Sequence, residues 1–247
     1  MKKTWKIFLW IIAGLVVIMI LFSGWYWFRA NSEMGLMTPL ETGKVVDNIY
    51  AINNEFVNSY IIEEGKNLIV VDCGNDVETI QKGFKFLKLK PDNVVAVLLT
   101  HSDGDHVAAL KLFKNAEVYL SREEEQMING TTSRFFIFGN SIDTDNYILV
   151  DDNQEFTIAD VPIKGILTPG HTPGLMCYIV NDRFMFTGDA LSLKNGKIDE
   201  FNDFFNMDSE RALKSIYKIK EVENVDYIFT AHYGYSDNFE HAISDID

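Results

Sequence analysis

Cys73 and Cys177 are the only thiols in 247 residues. Two cysteines neither define a disulfide framework nor make a four-cysteine zinc site. Both fall in apolar, strand-like runs and read as inert buried thiols. Positive charge is also scarce: 22 Lys and Arg against 36 Asp and Glu leave a formal net charge of −14. A surface of that sign repels phosphate backbones, so nucleic acid is not an expected partner, although bound cations would make one site locally positive. No internal repeat and no low-complexity stretch is present. The length fits one large domain or two small ones, and 47% hydrophobic residues suffice for a sizeable core.

Charge disappears altogether over Ile7 to Phe28, a run of 22 residues. As a helix it measures roughly 33 Å, enough for a bilayer core of about 30 Å. Its far end, Trp25-Tyr26-Trp27-Phe28, suits the membrane–water interface. Lys2, Lys3 and Lys6 precede it and only Arg29 follows closely, which predicts a single-pass protein of the cell membrane, N-terminus cytoplasmic and remainder outside. A cleaved signal peptide is the rival, but its apolar part is normally shorter and no small-x-small site stands before the aromatic cluster. Residues 1–30 thus read as stub and anchor, touching lipid through 7–28. Ala30 to Thr42, with Asn31, Ser32, Gly35 and Pro39 and no apolar period, reads as a linker from residue 31, and 43–247 as the remaining domain.

From Gly43 on, strands and helices alternate. Val45–Ala51, Val57–Glu63 and Asn67–Asp72 read as strands. Val77–Leu89 has helical spacing with Asp76 as N-cap. Val94–Thr100 is a continuous apolar strand, as for one buried on both faces. Val107–Phe113 restarts a helix. Further strands are expected at Glu117–Leu120, Gln154–Ile158, Ile163–Leu167, Met176–Val180, Arg183–Phe186 and Tyr227–Thr230, and a helix at Ser209–Lys220. This pattern defines a mixed α and β domain and no more.

Four of the five histidines stand at the ends of predicted strands. Thr100-His101-Ser102-Asp103-Gly104-Asp105-His106 follows the apolar strand. Thr168-Pro169-Gly170-His171-Thr172-Pro173-Gly174, Thr187-Gly188-Asp189-Ala190 and Thr230-Ala231-His232-Tyr233-Gly234 follow later ones, and an earlier strand ends in Val70-Val71-Asp72-Cys73-Gly74. Imidazoles and carboxylates together are what zinc, iron or manganese bind at neutral pH. Strand ends fix such ligands while loops leave them open to substrate. Each motif alone has a plainer reading: Ser102, Asp103 and Asp105 as helix caps, His171 and Asp189 as turn residues, His232 as a surface histidine, Asp72 as a cap or turn. Their coincidence in order outweighs those readings. His241, in an acidic tail without partners, reads as a surface residue.

In this order the residues resemble the metallo-β-lactamase superfamily, with its H-x-H-x-D-H motif followed by a distant His, Asp and His; the likeness covers roughly Gly43 to Gly234. It implies an α/β fold, a four-layer αββα sandwich with a metal cleft at one edge. By the same resemblance His101 and His171 bind a first metal, Asp105, His106 and His232 a second, and Asp189 bridges them, while Asp72 supports the ligands from behind. Two divalent ions are implied, zinc foremost, with iron or manganese the alternatives. One position departs: Asp103 stands where the middle histidine belongs, as a working ligand or a lost one. A carboxylate there makes the site harder and tilts it toward iron or manganese.

The fold hosts many chemistries. The leading expectation is a metallo-hydrolase that turns an activated water on an ester, thioester or lactone of a small molecule, with Asp105 and Tyr233 as catalytic groups. The rivals are an iron redox enzyme of flavodiiron-like or sulfur-dioxygenase-like kind, for which no flavodoxin- or rubredoxin-like segment is present, and a non-catalytic membrane scaffold. Arg134-Phe135-Phe136-Ile137-Phe138 reads as core or as an apolar lid.

Overall fold

A computed structural model describes residues 2–134 and 139–245. Phe135 to Phe138, expected as core or lid, lie outside the described residues. The chain divides into two units, 1–37 and 38–247.

The first unit is one helix, α1 (Lys2–Met34). Ile18, Met19, Ile20 and Leu21, which follow one another around its axis in steps of about 100°, are all exposed. Its mean hydropathy reaches 2.7, and it is long and apolar enough to cross a membrane. A helix apolar on every side offers no polar face to water, the pattern of a buried or membrane-spanning segment. The helix runs further than the sequence suggested. Ala30 to Met34, read largely as linker, form its last turns, closed by an Arg29–Glu33 ion pair at 2.6 Å. The other end of that stretch belongs to the second unit: Thr38 donates its N–H to the His232 carbonyl at 2.8 Å, and Leu40 donates to Asn58 Oδ1 at 2.7 Å.

The second unit begins with seven strands of one sheet: β1 (Gly43–Val46), β2 (Ile49–Asn54), β3 (Val57–Glu64), β4 (Asn67–Val71), β5 (Val94–Leu98), β6 (Glu117–Ser121) and β7 (Tyr147–Val150), hydrogen-bonded in chain order. The first four pair antiparallel, and β4 to β7 are parallel. The second sheet comprises β8 (Glu155–Ile158), β9 (Val161–Leu167), β10 (Met176–Val180), β11 (Phe184–Phe186), β14 (Tyr227–Phe229) and β15 (Tyr235–Ser236), in the order β15-β14-β11-β10-β9-β8. A small hairpin, β12 (Leu191–Lys194) and β13 (Lys197–Glu200), is separate.

Alternation along the strands makes four layers. Tyr60, Ile62, Ile69 and Val71 of the first sheet meet Met176, Tyr178, Phe186 and Phe229 of the second in the central core. Their neighbours Ile61, Leu68 and Val70 face outward against Ile80 and Phe84 of α2 (Val77–Leu87). On the far side Cys177 and Ile179 meet Ile216 and Ile219 of α5 (Ser209–Lys220) and Phe239 of α6 (Phe239–Ile243). This is the αββα sandwich the sequence implied. Cys73 and Cys177 are free and buried in the two different outer layers. Burial pushes both thiols up, that of Cys177 to about 12.

Three local expectations change. The strand expected over Val45–Ala51 is two strands, because Asp47 turns the chain with φ 45°. The helix expected over Val107–Phe113 is a single turn, α3 (Gly104–Val107), followed by a 3-10 turn at Leu110–Leu112. The N–H groups of Ala108 and Ala109 go to the carbonyls of Gly74 and Cys73 at 3.1 and 3.3 Å, so they cannot extend the helix. The β12–β13 hairpin adds to the expected elements, although it carries a local signal: Asn195 and Gly196, at φ 53° and 76°, form the Asn-Gly turn that favours two-residue hairpins.

Candidate metal centre

Strands β4 and β5 lie side by side and parallel, so the segments that follow them leave the same edge of the sheet. Asp72 is the pivot. It sits at φ 57°, a left-handed conformation aspartate tolerates better than most residues. Its carboxylate accepts from the Thr100 N–H and from the Thr100 hydroxyl, both at 2.8 Å. It also accepts from His106 Nδ1 at 2.8 Å.

Those bonds set the tautomers. His106 Nδ1 donates to a carboxylate. The Thr100 hydroxyl, already donating to Asp72, accepts from His101 Nδ1 at 3.0 Å. His232 Nδ1 donates to the Phe56 carbonyl at 2.7 Å. In its neutral form each of the three rings therefore turns an Nε2 lone pair inward. The ring centres of His101 and His106 are 4.0 Å apart, those of His101 and His171 4.8 Å, and those of His106 and His232 5.6 Å.

Asp189 stands among them. Oδ1 lies 3.5 Å from His106 Nε2 and 3.1 Å from His232 Nε2. Oδ2 faces His171 Nε2 at 3.4 Å and His101 Nε2 at 3.9 Å. Asp105 Oδ2 is 3.6 Å from both His106 Nε2 and His232 Nε2. Gly188, at φ 52°, brings this loop against Thr100; a Cβ there would meet Thr100 Oγ1 at 2.4 Å. The structure thus brings together every metal-ligand candidate the sequence named, in three overlapping groups: His101–Asp103–His171, His101–His106–Asp189 and Asp105–His106–His232. His101 Nε2, His106 Nε2 and Asp189 Oδ1 are buried without a hydrogen-bond partner. Orphaned buried acceptors converging on one point are costly unless a cation completes them, so the donor set fits divalent metal.

Asp103 is no helix cap. It occupies the N-cap position of α3, but its side chain makes no capping bond. Instead Oδ2 lies 3.0 Å from His171 Nε2 and 3.6 Å from His101 Nε2, so the short side chain reaches both rings. The same oxygen accepts from Arg134 Nη2 at 2.5 Å, and Oδ1 accepts from Asn140 Nδ2 at 2.7 Å.

Sequence reading missed Arg134 as a site residue, together with Asn140 and Glu124. Glu124 is fully buried. Oε1 accepts from the N–H and hydroxyl of Ser102 at 2.9 and 2.6 Å, and Oε2 from the Thr172 hydroxyl and the Gly174 N–H at 2.7 and 3.1 Å. One carboxylate thereby ties the His101–His106 loop to the His171 loop. Gly174 permits the approach, since a Cβ there would fall 2.0 Å from the Glu124 nitrogen. In the sequence Glu124 is one of three consecutive glutamates, and nothing local marks it out.

Burial opposes charge throughout the cluster, and the opposite charges decide where it settles. Burial raises Asp103, but the neighbouring imidazoles of His101 and His171 outweigh it and hold the carboxyl well below its ordinary range. Asp189 is likewise held well down, against burial, by His232, His106 and His171. Burial lowers His106, yet Asp189, Asp105 and Asp72 drive it well above the usual imidazole value; His232 rises for the same kind of reason. His171 goes the other way, because its burial is not fully offset by Asp189 and Asp103. Glu124 is raised by burial.

Aromatic rings wall the cluster. Phe201 meets His171 edge-on at 5.1 Å, and Phe56 stacks on His232 at 5.9 Å. Tyr233 is half-buried, with its ring 6.2 Å from Phe201. His241 is exposed on α6, away from the cluster's contacts.

With fold and site in place, comparison with known proteins is direct. The profile of the metallo-beta-lactamase superfamily matches residues 52–232. The chain is 33% identical to a probable metallo-hydrolase of Methanocaldococcus jannaschii over 67% of this chain and 71% of that protein. It is 32% identical to a probable polyketide biosynthesis zinc-dependent hydrolase of Bacillus subtilis over 76% and 77%. An atrochrysone carboxyl ACP thioesterase of Pseudocercospora fijiensis is 28% identical over 63% of this chain and 43% of that one. Among solved structures, a B3 metallo-beta-lactamase with an active-site glutamic acid superposes with a TM-score of 0.65 at 19% identity, covering 88% and 89%. One from Cronobacter sakazakii gives 0.64 at 19%, covering 80% of each chain. The chain belongs to the metallo-beta-lactamase superfamily. It is an enzyme of the metallo-hydrolase class.

Proposed function

We propose that this enzyme is a membrane-anchored hydrolase that holds two divalent ions, zinc foremost, and cleaves an ester, thioester or lactone-type bond in a small molecule. Asp189 carries the reading. Its carboxylate stands among four imidazoles, with Oδ1 toward His106, Oδ2 toward His171 and His101, and His232 Nε2 at 3.1 and 3.2 Å from the two oxygens, which suits a carboxylate shared by two cations. His101, Asp103 and His171 would hold the first ion, Asp105, His106 and His232 the second, and Asp189 both. Metal bound there supplies acidified water, with a pKa near about 7, and polarisation of a carbonyl. The remaining work falls to the chain. Asp72 fixes the orientation of His106 directly and of His101 through Thr100. Asp105, with its side chain 24% exposed, faces the opening and takes the proton-handling role. Tyr233, next to His232, takes the role of donor to an oxyanion in this reading. Phe56 and Phe201 exclude water beside the rings. The zinc-dependent hydrolase and the thioesterase among the relatives support the metal and the bond class. The apolar α1 supports anchoring, and Lys2, Lys3 and Lys6 at its start, before the uncharged run, support an extracytoplasmic catalytic unit.

The test uses the full chain, purified in detergent and supplied with zinc. We expect about two zinc ions per chain by elemental analysis, with thioester or ester turnover lost on chelation and restored by zinc. A protein that retains no zinc, iron or manganese after supplementation overturns the metalloenzyme reading. A metal-loaded protein inert toward esters, thioesters and lactones overturns the bond class.

A further inference from the structure

Arg134 comes from the segment between β6 and β7, outside every motif, yet one of its nitrogens touches two of the three side chains proposed to hold the first ion. Nη2 lies 2.5 Å from Asp103 Oδ2 and 3.2 Å from His171 Nε2, and 3.3 Å from the His171 carbonyl. The other terminal nitrogen donates to the Phe205 carbonyl, which fixes the fork across the cleft. The guanidinium is a donor only, so the contact from Arg134 calls on a lone pair of His171 Nε2, while Asp103 Oδ2, 3.0 Å from the same nitrogen, calls on a proton there; in either form the nitrogen is engaged by the protein. An imidazole nitrogen has one lone pair, and it can take an N–H or a metal but not both. His101, His106 and His232 have no such conflict. Their Nδ1 atoms are engaged by Thr100, Asp72 and Phe56, whereas His171 Nδ1 is buried without a partner.

We propose that Arg134 is a displaceable occupant of the first metal position: a resident cation that satisfies Asp103 and His171 until a divalent ion drives it off. The inference rests on reading His101, Asp103 and His171 as a metal site. It makes the two positions unequal. Among the described residues no cationic side chain contacts the Asp105–His106–His232 position, and the other position fills only by breaking the Arg134 contacts to His171 and Asp103.

The experiment titrates metal-free full-length protein in detergent with Zn(II) against a chromophoric chelator. Native protein should bind one equivalent tightly and a second more weakly. Arg134→Ala should tighten the second equivalent about tenfold or more, within the range by which outer groups tune metal affinity, and leave the first unchanged. Arg134→Met, which keeps the apolar stem, should act alike and serves if the alanine variant fails to fold by circular dichroism. Asp103→Ala should abolish the weaker equivalent, which assigns it to this half. A second equivalent that weakens or stays the same in both Arg134 variants overturns the proposal but leaves the metal centre standing. No binding in native and variant protein alike overturns both readings.

Discussion

The two halves of the cluster are built differently. Around His106 and His232 each ring is held from behind by a partner on the sheet edges, the Asp72 carboxylate or the Phe56 carbonyl. Around Asp103 and His171 support comes from the chain between β6 and β7: Arg134 and Asn140 hold Asp103, and Glu124 holds both loops. One half is part of the sandwich and the other is borrowed from a connection. A carboxylate in place of histidine suits the borrowed half, because a basic residue and an amide stand ready to bind it. On the proposed reading, the framework residues would set whether metal binds at all, and the borrowed ones how tightly a second ion binds.

Asp189 is the one candidate ligand proposed for both halves, so its loss should have the largest effect. Asp189→Ala should empty both positions and reduce hydrolysis to background, with the far-ultraviolet circular dichroism unchanged. If elemental analysis finds one ion still bound per chain, the halves are independent and the shared carboxylate is not a bridge.

Glu124 tests the borrowed half alone. Glu124→Ala strands four buried donors, and losing a buried charged acceptor costs about 3 kcal/mol or more. Urea unfolding should show a drop of that order, and metal titration should show the second equivalent weakened with the first nearly intact. Equal weakening of both would mean that the halves share one support. His241→Ala, at the far end of the scale, should leave stability, metal content and turnover unchanged, because this side chain is exposed and touches neither half. A measurable loss of metal there would mean that a ligand has been misassigned.

The same division separates what was legible in the sequence from what was not. Motifs that follow strands announce themselves, since packing alone rarely ends an apolar run in His, Asp and Gly; all seven candidate ligands meet as expected. The αββα layering followed from the resemblance, since the alternation of elements alone defined only a mixed α and β domain. Arg134, Asn140 and Glu124 stayed hidden because their meaning lies in long-range contacts: Arg134 meets Asp103 31 residues away and Glu124 meets Gly174 50 away. The helix after His106 is shorter than expected for a related reason. Its propensity favoured extension, and tertiary hydrogen bonds from the Cys73-Gly74 loop overrode it.

Glu124 also constrains how this enzyme can change over generations. The donors of Ser102, Thr172 and the glycine at 174 converge on the acid between them. A lineage that replaces the acid must replace its donors too, or pass through an intermediate that folds poorly. Lineages carrying a neutral residue at 124 should therefore differ at 102 and 172 as well. The connection that supplies Arg134 and Asn140 is then anchored by Glu124 at its start and free to diversify at its tip, so metal affinity can drift there while the two loops stay locked together.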